Sequence, residues 1–356
     1  MSLARDLADG VINGLTPQPS NMQPFNRIIN GAMTVDQRNA GATLTLSGSS
    51  QFAVDRFVAS KDTAGATCTA QRSTTSTTGF VNSLLWTTTT GATSGVSDES
   101  VIWQNIEGYN VADLAWGTAL ATTVTLSFWV RSSLTGTFGV SFRSPSGSRN
   151  YVGSYTINSA DTFEYKTVTV AGDTTGTWAT DNSTGLRITW DMGCGTSKST
   201  TAGSWGAGNL PGLTGGVKVS ANTGATFYIT GVQLEAGSVA TPFERRPYGT
   251  ELALCQRYYW KNKPAHLYAY IALGRSQSTY VSFLIQYPQV MRAAPTFNYS
   301  NLRVEVGTLT TALATYAGDT SALYQLYTTS GATIGQVNPL QSNSANVGFL
   351  EATAEL

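Results

Sequence analysis

The stretch Phe227–Tyr259, FYITGVQLEAGSVATPFERRPYGTELALCQRYY, combines a strand, a stiff exit and a helix start. Its first residues alternate aromatic and β-branched side chains with polar ones, which predicts a strand. The alternation changes parity at Gly231, which indicates a bulge or a tight bend. After the exit at Pro247, Thr250 is predicted to cap a helix, with Glu251 at the positive end of the helix dipole. The stretch therefore predicts the last strand of a β domain and a helical connector to a second domain.

Upstream of this stretch the chain is patterned as antiparallel strands. Residues 124–130, 138–142 and 186–192 each alternate apolar and polar side chains, with turn-rich spacers such as SPSGSRN between them. Strict alternation of this kind indicates strands with one buried face. We predict an all-β protein: an antiparallel jelly-roll sandwich over residues 43–246, a connector helix over 247–263 and a smaller β domain over 264–356.

Residues 1–42 are predicted to form an N-terminal arm and attachment segment. Within Met1–Pro24, Leu3, Leu7 and Val11 recur on one face of a short helix capped by Ser2. A helix this short is not stable alone in water. We therefore expect it either to pack against a partner chain or to be disordered in isolation.

Composition narrows the function classes. Charged residues make up only 12% of the 356 residues and the formal net charge is zero, so we expect neither nucleic acid nor an anionic membrane as a partner. No apolar stretch approaches the ~20 residues that span a bilayer, and the N-terminus lacks a signal-peptide pattern, so no membrane insertion and cytosolic synthesis are expected. Cys68, Cys194 and Cys255 are predicted to be free and buried.

Three segments carry a family resemblance: NRIINGAMTVDQRNAG at 26–41, GVQLEAGSVATPFERRPYGTELALCQRYY at 231–259 and MRAAPT at 291–296. In this order they resemble segments of bacteriophage and prophage tail-fibre-like virion proteins. The resemblance implies a jelly roll similar to carbohydrate-binding modules, a homotrimer, and a place on the virion after synthesis in the host cytoplasm. It also implies two partners, namely other virion proteins through the N-terminal arm and a host-surface polysaccharide.

No segment resembles a catalytic motif. His266 is the single histidine, predicted to lie on a strand, and there is no GxSxG sequence. Eight acids lie mostly beside Gly, Ser or Thr, where turn and capping roles explain them: Asp98, Glu99, Asp113, Asp161, Glu164, Asp173, Asp181 and Asp191. We predict no catalytic residue, no metal site and no cofactor, although a hydrolytic pair of acids that meet across strands stays open.

Aromatic side chains are the better candidates, because sugar rings stack their C–H faces on indoles and phenols. Trp129 alternates with the apolar residues of its strand and is predicted to point away from the core, toward a sugar, a second subunit or a covering loop. Trp190 is in phase with Leu186 and is predicted to be core. The candidate glycan-binding residues are Trp129, Trp103, Tyr109, Trp116, Trp178 and Trp205. For the five other than Trp129, anchoring a loop to the sandwich is the alternative.

Arg245 and Arg246 lie close to Glu244 and Glu251 and form the one compact charge cluster of the sequence. Two roles are open for it: ion pairs that set the angle between the domains, or ligand binding.

These observations predict a phage virion appendage, of tail-fibre or head-fibre type, that binds host-surface glycan by multivalent adhesion. Two alternatives remain, a capsid decoration protein that stabilises the shell and a virion-associated polysaccharide depolymerase.

Overall fold

A computed structural model describes residues 25–264, 266–277, 279–304, 309–328, 333–343 and 348–356. The predicted N-terminal helix of residues 1–24 lies outside these residues. The one α-helix that the described residues contain, α1, spans Tyr248–Gln256. The strands are β1 Leu44–Thr45, β2 Gln51–Val54, β3 Phe57–Ser60, β4 Thr67–Ser73, β5 Ser83–Thr90, β6 Glu99–Glu107, β7 Val124–Ser132, β8 Gly136–Arg143, β9 Asn150–Ile157, β10 Glu164–Val170, β11 Thr184–Cys194, β12 Ser199–Thr200, β13 Trp205–Gly206, β14 Gly212–Leu213, β15 Thr226–Ala236, β16 Tyr259–Asn262, β17 Tyr270–Ser276, β18 Tyr280–Gln286, β19 Thr296–Ser300, β20 Leu302–Val304, β21 Leu309–Ala317, β22 Ser321–Thr328, β23 Val337–Ser342 and β24 Phe349–Thr353. Short 3-10 turns span Gly108–Asn110, Ala112–Leu114, Thr196–Lys198 and Val219–Ala221.

The first fifteen strands form a jelly-roll sandwich, which confirms the predicted fold class. A six-stranded sheet in the order β1-β4-β5-β15-β7-β10 faces a seven-stranded sheet in the order β13-β9-β8-β11-β6-β3-β2, and β12 with β14 forms a small parallel pair. The core lies between the two large sheets. Val124, Leu126, Phe128 and Val130 of β7 are all fully buried there, and so is Trp190 of β11. Alternation along these strands therefore identified the core face correctly.

The glycine in the last strand of the sandwich is a bulge, as its change of parity predicts. Gly231 has φ of 60°, and the register of β15 against β7 shifts between Thr230 and Gln233. A positive φ of this size favours glycine over residues with a side chain. The bulge moves the following side chains by one position, so that Val232 and Leu234 face the core after Phe227 and Ile229 have done so.

The described part of the predicted attachment segment packs against the chain's own jelly roll. The Asn26 side chain donates to the carbonyl of Val232 (3.1 Å) and accepts from the amide of Leu234 (3.0 Å). A Cβ at Gly31 would lie 2.1 Å from the Val232 carbonyl oxygen, so only glycine allows this approach. Residues 26–33 were expected to face the virion, and that expectation stays a prediction. Asn26 satisfies the Val232 carbonyl and the Leu234 amide of β15, because buried backbone groups need hydrogen-bond partners.

The connector is shorter than predicted. Helix α1 ends at Gln256, and residues 259–262 of the predicted helix form strand β16. Tyr258, Tyr259 and Trp260 explain the difference, since bulky aromatic residues favour strands over helices. The cap prediction for Thr250 is also wrong: Pro247 precedes the helix, without a side-chain cap, and Thr250 lies inside it. Proline is well suited to a helix start because its φ is already fixed.

The smaller C-terminal β domain is built from two sheets. A three-stranded sheet in the order β16-β24-β19 and a six-stranded sheet in the order β20-β23-β17-β18-β22-β21 enclose a core that includes Val281, Phe283 and Leu340. The prediction that His266 lies on a strand is wrong. It lies in an exposed bend before β17, where its carbonyl accepts from the amide of Ala269 (3.3 Å) and Tyr268 takes a φ of 60°.

Charged side chains fix the connector to the jelly roll. Glu107 of the jelly roll accepts two hydrogen bonds from Arg257 (2.6 and 2.9 Å) and one from the Tyr258 hydroxyl (2.6 Å). Arg246 forms ion pairs with Glu244 (3.4 Å) and Glu251 (3.5 Å) and donates to carbonyls of the 26–41 segment. Of the predicted charge cluster, Arg246 therefore takes the structural role. Within the described residues, no helix is long and apolar enough to cross a bilayer.

Candidate functional site

An open groove of about 520 Å³ lies on the outer face of the six-stranded sheet. We call it the aromatic groove, and its lining residues are Thr78, Phe80, Ser127, Trp129, Tyr165, Gly231, Pro242, Phe243 and Arg245. It brings together residues from β7, β10, the bulge of β15 and the exit segment after β15. A shallow cleft with aromatic walls and a few polar groups has the character of a ligand site.

Trp129 and Tyr165 form the first wall of the groove. They are register partners on β7 and β10, and their ring centroids are 5.4 Å apart at an interplanar angle of 51°. Trp129 is half-buried and points away from the core, as predicted, and Tyr165 is 44% exposed. The Trp129 indole N–H forms no hydrogen bond with any residue that the structure describes. Its donor is therefore free for a ligand.

The β-bulge at Gly231 forms the floor between the walls. A Cβ at Gly231 would lie 2.6 Å from the Phe80 ring and 3.1 Å from Cδ1 of Trp129. Both its positive φ and this close approach favour glycine. The parity break at Gly231 therefore positions the rings of the groove.

Phe80 and Phe243 form the opposite wall. Their ring centroids are 5.0 Å apart in an edge-to-face contact, and the Arg245 guanidinium lies 4.8 Å from the Phe80 centroid and 5.8 Å from that of Phe243. Sequence reasoning missed Phe80, Tyr165 and Phe243. Tyr165 had a signal, because its parity on the strand EYKTVTV places it with the outward threonines. Phe80 and Phe243 lie outside strands, where no periodicity exists to place them.

Three other candidate residues meet at one end of the sandwich. Trp116, Trp178 and Trp205 are mutually edge-on, with ring centroids 4.8 to 5.6 Å apart, and we call them the end cluster. Each indole N–H donates to a carbonyl of its own domain, namely those of Thr122 (2.8 Å), Thr175 (3.3 Å) and Ala171 (2.8 Å). Trp116 is only 8% exposed and belongs to the core. The arrangement fits loop anchoring.

The last two candidates lie apart from both groups. Trp103 lies on the outer face of the seven-stranded sheet, 8% exposed, where it packs against Val58 and Val101 with Arg187 5.5 Å above its ring. Tyr109 is 62% exposed on the 3-10 turn Gly108–Asn110, beside a polar cleft. The structure does not bring either residue to the aromatic groove.

The scattered carboxylates have local partners. Asp98 and Asp181 accept backbone hydrogen bonds within their own turns, as predicted. Asp173 does so too, and Arg149 binds it through two further hydrogen bonds (2.6 and 2.7 Å). The others combine turn contacts with ion pairs or form ion pairs alone: Glu99 with Arg143 and Lys198, Asp113 with Arg27, Asp161 with Arg131, Glu164 with Lys166, and Asp191 with Lys218. The turn and capping roles predicted for these acids did not include ion pairing.

Three carboxyl groups show how these contacts act on protonation. Burial raises the pKa of Asp173, but hydrogen bonds from Arg149 and Thr175 outweigh it and the net pKa is lowered. For Glu164, hydrogen bonds from Lys166 and the amides of residues 158 and 159 likewise outweigh burial and lower the pKa to about 2. Both groups are therefore anionic at neutral pH, unlike a general acid. Burial raises the pKa of Asp55, whose two oxygens accept from Gln37 beneath the 26–41 segment, outside any open site.

The cysteines are free and buried, as predicted. Burial raises the pKa of all three thiols, which disfavours the reactive thiolate. Across the described ranges, no group of three His, Cys, Asp or Glu side chains is placed to hold a metal ion.

Comparisons with known proteins assign no family to the chain. No family model and no curated protein matches the chain. Among solved structures, a candidate sugar-binding protein from Bacteroides thetaiotaomicron is 10% identical over 60% of this chain and 100% of its own, with a TM-score of 0.33. A family 11 carbohydrate-binding module from Clostridium thermocellum, solved with a β-1,3-1,4-linked tetrasaccharide, is 15% identical over 57% and 100%, with a TM-score of 0.28. The CBM22-1 xylan-binding domain from Paenibacillus barcinonensis is 9% identical over 57% and 99%, with a TM-score of 0.25. At these scores no ligand or residue role transfers to this chain.

Proposed function

We propose that this chain is a non-catalytic adhesin that binds glycan in the aromatic groove. The observation that carries the proposal is the Trp129–Tyr165 pair, which lies open on the sheet face with its indole N–H unused. The part of the half-buried Trp129 indole that meets water is apolar, and the C–H face of a sugar is a suitable partner for it. The Trp129 N–H and the hydroxyl of the exposed Thr78 supply polar groups for sugar hydroxyls.

We place this adhesin on a phage particle, as a tail-fibre or head-fibre protein. Three sequence segments in family order and a surface poor in charge support this placement. In this proposal residues 1–24 attach to other virion proteins and the glycan belongs to the surface of the bacterial host. A shallow groove binds weakly, so repeated copies are needed for firm attachment.

The proposal includes a homotrimer, and an apolar face of the C-terminal domain supports self-association. Gly274 and Phe283 are paired and buried, so their neighbours Leu273 and Leu284 face outward and are 61% and 59% exposed. Leu284 pairs with Leu323 on the next strand, which extends the apolar row. A second copy of this chain suits a row without charges, because it can present the same surface.

The trimer is tested by the double variant Leu273→Ser and Leu284→Ser. We expect sedimentation of the wild-type chain at trimer mass and of the variant at lower mass. Leu120→Ser is the matched control, since Leu120 is 81% exposed on the jelly roll, away from this face. Monomeric wild-type protein at micromolar concentration would overturn the trimer while the groove proposal stands.

Glycan binding is tested by native electrophoresis through gels that contain lipopolysaccharide or capsular polysaccharide from a panel of bacteria. We expect retardation of the wild-type chain by at least one polysaccharide, loss of retardation in Trp129→Ala, and no new reducing ends. New reducing ends would favour the depolymerase alternative. Retardation that persists unchanged in Trp129→Ala would show that the groove is not the site.

A further inference from the structure

We propose that the groove selects a glycan that carries an oxyanion, a carboxylate or a phosphate, and that Arg245 binds it. This inference rests on the proposed function, because it names the ligand class of the same groove. It starts from one feature: Arg245 is the single cationic residue among those that line the groove.

The charge of Arg245 has no counterion within the described part of the chain. Its neighbour Arg246 takes both nearby carboxylates, with Glu244 at 3.4 Å and Glu251 at 3.5 Å. Arg245 itself forms neither an ion pair nor a hydrogen bond with a described residue. The two arginines of the sequence cluster therefore differ: Arg246 forms ion pairs, and Arg245 has none with a described residue.

The rings hold the open arginine in place. The Arg245 guanidinium lies against Phe80 and Phe243, and its terminal nitrogen is 2.9 Å from the position of a Cβ at Gly79, which has φ of +86°. Contact through the flat face of a guanidinium leaves its N–H groups free at the edge. Those N–H groups form a fork that matches the two oxygens of a carboxylate or phosphate. A guanidinium that lies against two rings and has no polar partner among the described residues is therefore suited to bind an anion.

A second arginine on the same sheet face provides the comparison. Arg131 also lies over an aromatic ring, 5.0 Å from the centroid of Tyr228, but it forms an ion pair with Asp161 at 3.1 Å. The chain itself can thus supply a carboxylate counterion to a cation that is stacked on this face. At Arg245 the chain supplies none, which leaves that position to the ligand.

The remaining charges near the groove are already engaged. Glu235, on the outer side of β15, is 4% exposed and its oxygens accept from Gln233 and from the amide and hydroxyl of Thr241. Lys166, beside Tyr165, is paired with Glu164 at 2.5 Å. The groove therefore offers an incoming sugar one positive group next to two aromatic walls.

The experiment is electrophoresis in gels that contain alginate, polygalacturonate or hyaluronan, each also after reduction of its carboxylates to alcohols, and a fourth gel pair with phosphomannan before and after dephosphorylation. Wild-type, Arg245→Gln and Arg131→Gln proteins run side by side. Arg131→Gln is the matched control, because it removes a stacked arginine that has its own counterion.

We expect at least one acidic polymer to retard the wild-type chain about tenfold more strongly than its neutralised form, the size of one charge-assisted hydrogen bond. Arg245→Gln should lose this preference and Arg131→Gln should keep it. The carboxylate and phosphate gels identify the source of the oxyanion. Equal retardation by acidic and neutralised polymers overturns the inference but keeps the proposed function. If no polymer in either form retards the wild-type chain, the inference fails for these anions, and the bacterial polysaccharide panel decides the proposed function separately.

Discussion

The aromatic groove and the end cluster are both built from aromatic side chains on one jelly roll, yet these side chains serve different ends. In the end cluster every indole N–H donates to a carbonyl of its own domain, and the rings are edge-on to one another. In the groove, Trp129 keeps its N–H free and Tyr165 leaves much of its ring in solvent. Aromatic side chains thus pack one end of the sandwich in the end cluster, whereas in the aromatic groove they line a surface that is open to solvent.

The comparison shows that an exposed loop position is a poor guide to an exposed tryptophan. Trp178 and Trp205 lie in stretches of the sequence rich in Gly, Ser and Thr, yet they pack against the core. Trp129 lies on a regular strand, yet it borders the groove. The two groups differ in whether the chain itself covers the aromatic ring and supplies an acceptor for its N–H group. This difference determines whether a mutation affects stability or binding.

The largest expected effect is at the centre of the end cluster. Trp116→Ala removes a ring that is 8% exposed, its contacts with two other indoles and a hydrogen bond to Thr122. We expect a loss of about 3–5 kcal/mol in the free energy of unfolding. Urea denaturation followed by tryptophan fluorescence measures it. A loss below ~1 kcal/mol, with glycan retention abolished, would reverse the assignment of the two aromatic groups.

The groove should show the opposite response. Trp129→Ala is expected to reduce glycan retention at least tenfold, while the free energy of unfolding falls by clearly less than the ~3–5 kcal/mol of a core tryptophan. Trp190→Ala, which removes a fully buried ring on β11, is the control for the full core penalty. Equal melting temperatures for these two variants, with retention intact in Trp129→Ala, would place Trp129 in the packing of the domain.

These expectations show how far the sequence alone could go. Period-two alternation identified the inward faces of β7, β8 and β11, and the parity break identified the bulge at Gly231, because strand geometry imposes both locally. The groove needed distant partners: Phe80 and Phe243 are 163 positions apart in sequence and meet only after β15 has paired with β5 and β7. No local pattern encodes such a contact.

The charge pattern was ambiguous for a related reason. Arg245 and Arg246 are adjacent, and the sequence does not show which of them forms ion pairs with Glu244 and Glu251. The packing of residues 26–41 decides it: Arg246 donates to two carbonyls of that segment and is held beside Glu244 and Glu251. Arg245 lies against the rings of Phe80 and Phe243 instead.

A smaller and sharper test uses phenylalanine, which keeps an aromatic ring but has no donor. Trp205→Phe loses the hydrogen bond to the Ala171 carbonyl and should lower the free energy of unfolding by about 1 kcal/mol or somewhat more. Trp129→Phe loses no hydrogen bond to a described residue and should leave the stability nearly unchanged while weakening retention. Thermal melts of the pair measure the difference. A larger loss of stability in Trp129→Phe than in Trp205→Phe would contradict the account of the two donors.

The smallest effect concerns the carboxylate that holds the edge of the groove. Glu164 precedes Tyr165 on β10 and accepts from the amides of Asn158 and Ser159 (2.9 and 2.8 Å) and from Lys166 (2.5 Å). These bonds lower its pKa from 4.5 to about 2 in the folded chain. Because the folded value is the lower one, the carboxylate stabilises the fold above pH ~4.5, and this contribution is lost as the pH falls from there toward 2.

Glu164→Gln should therefore be less stable than wild type at pH 7, by no more than about 1 kcal/mol since the contact is near the surface, and the gap should close as the pH falls from 4.5 toward 2. Urea titrations at pH 7, 4 and 3 measure this closure. Lys166→Gln, which removes only one of the three partners, should give a smaller gap that closes over the same range. A gap of constant size across these pH values would mean that the charge of Glu164 does not hold this turn, and that β10 keeps Tyr165 against Trp129 through strand pairing alone.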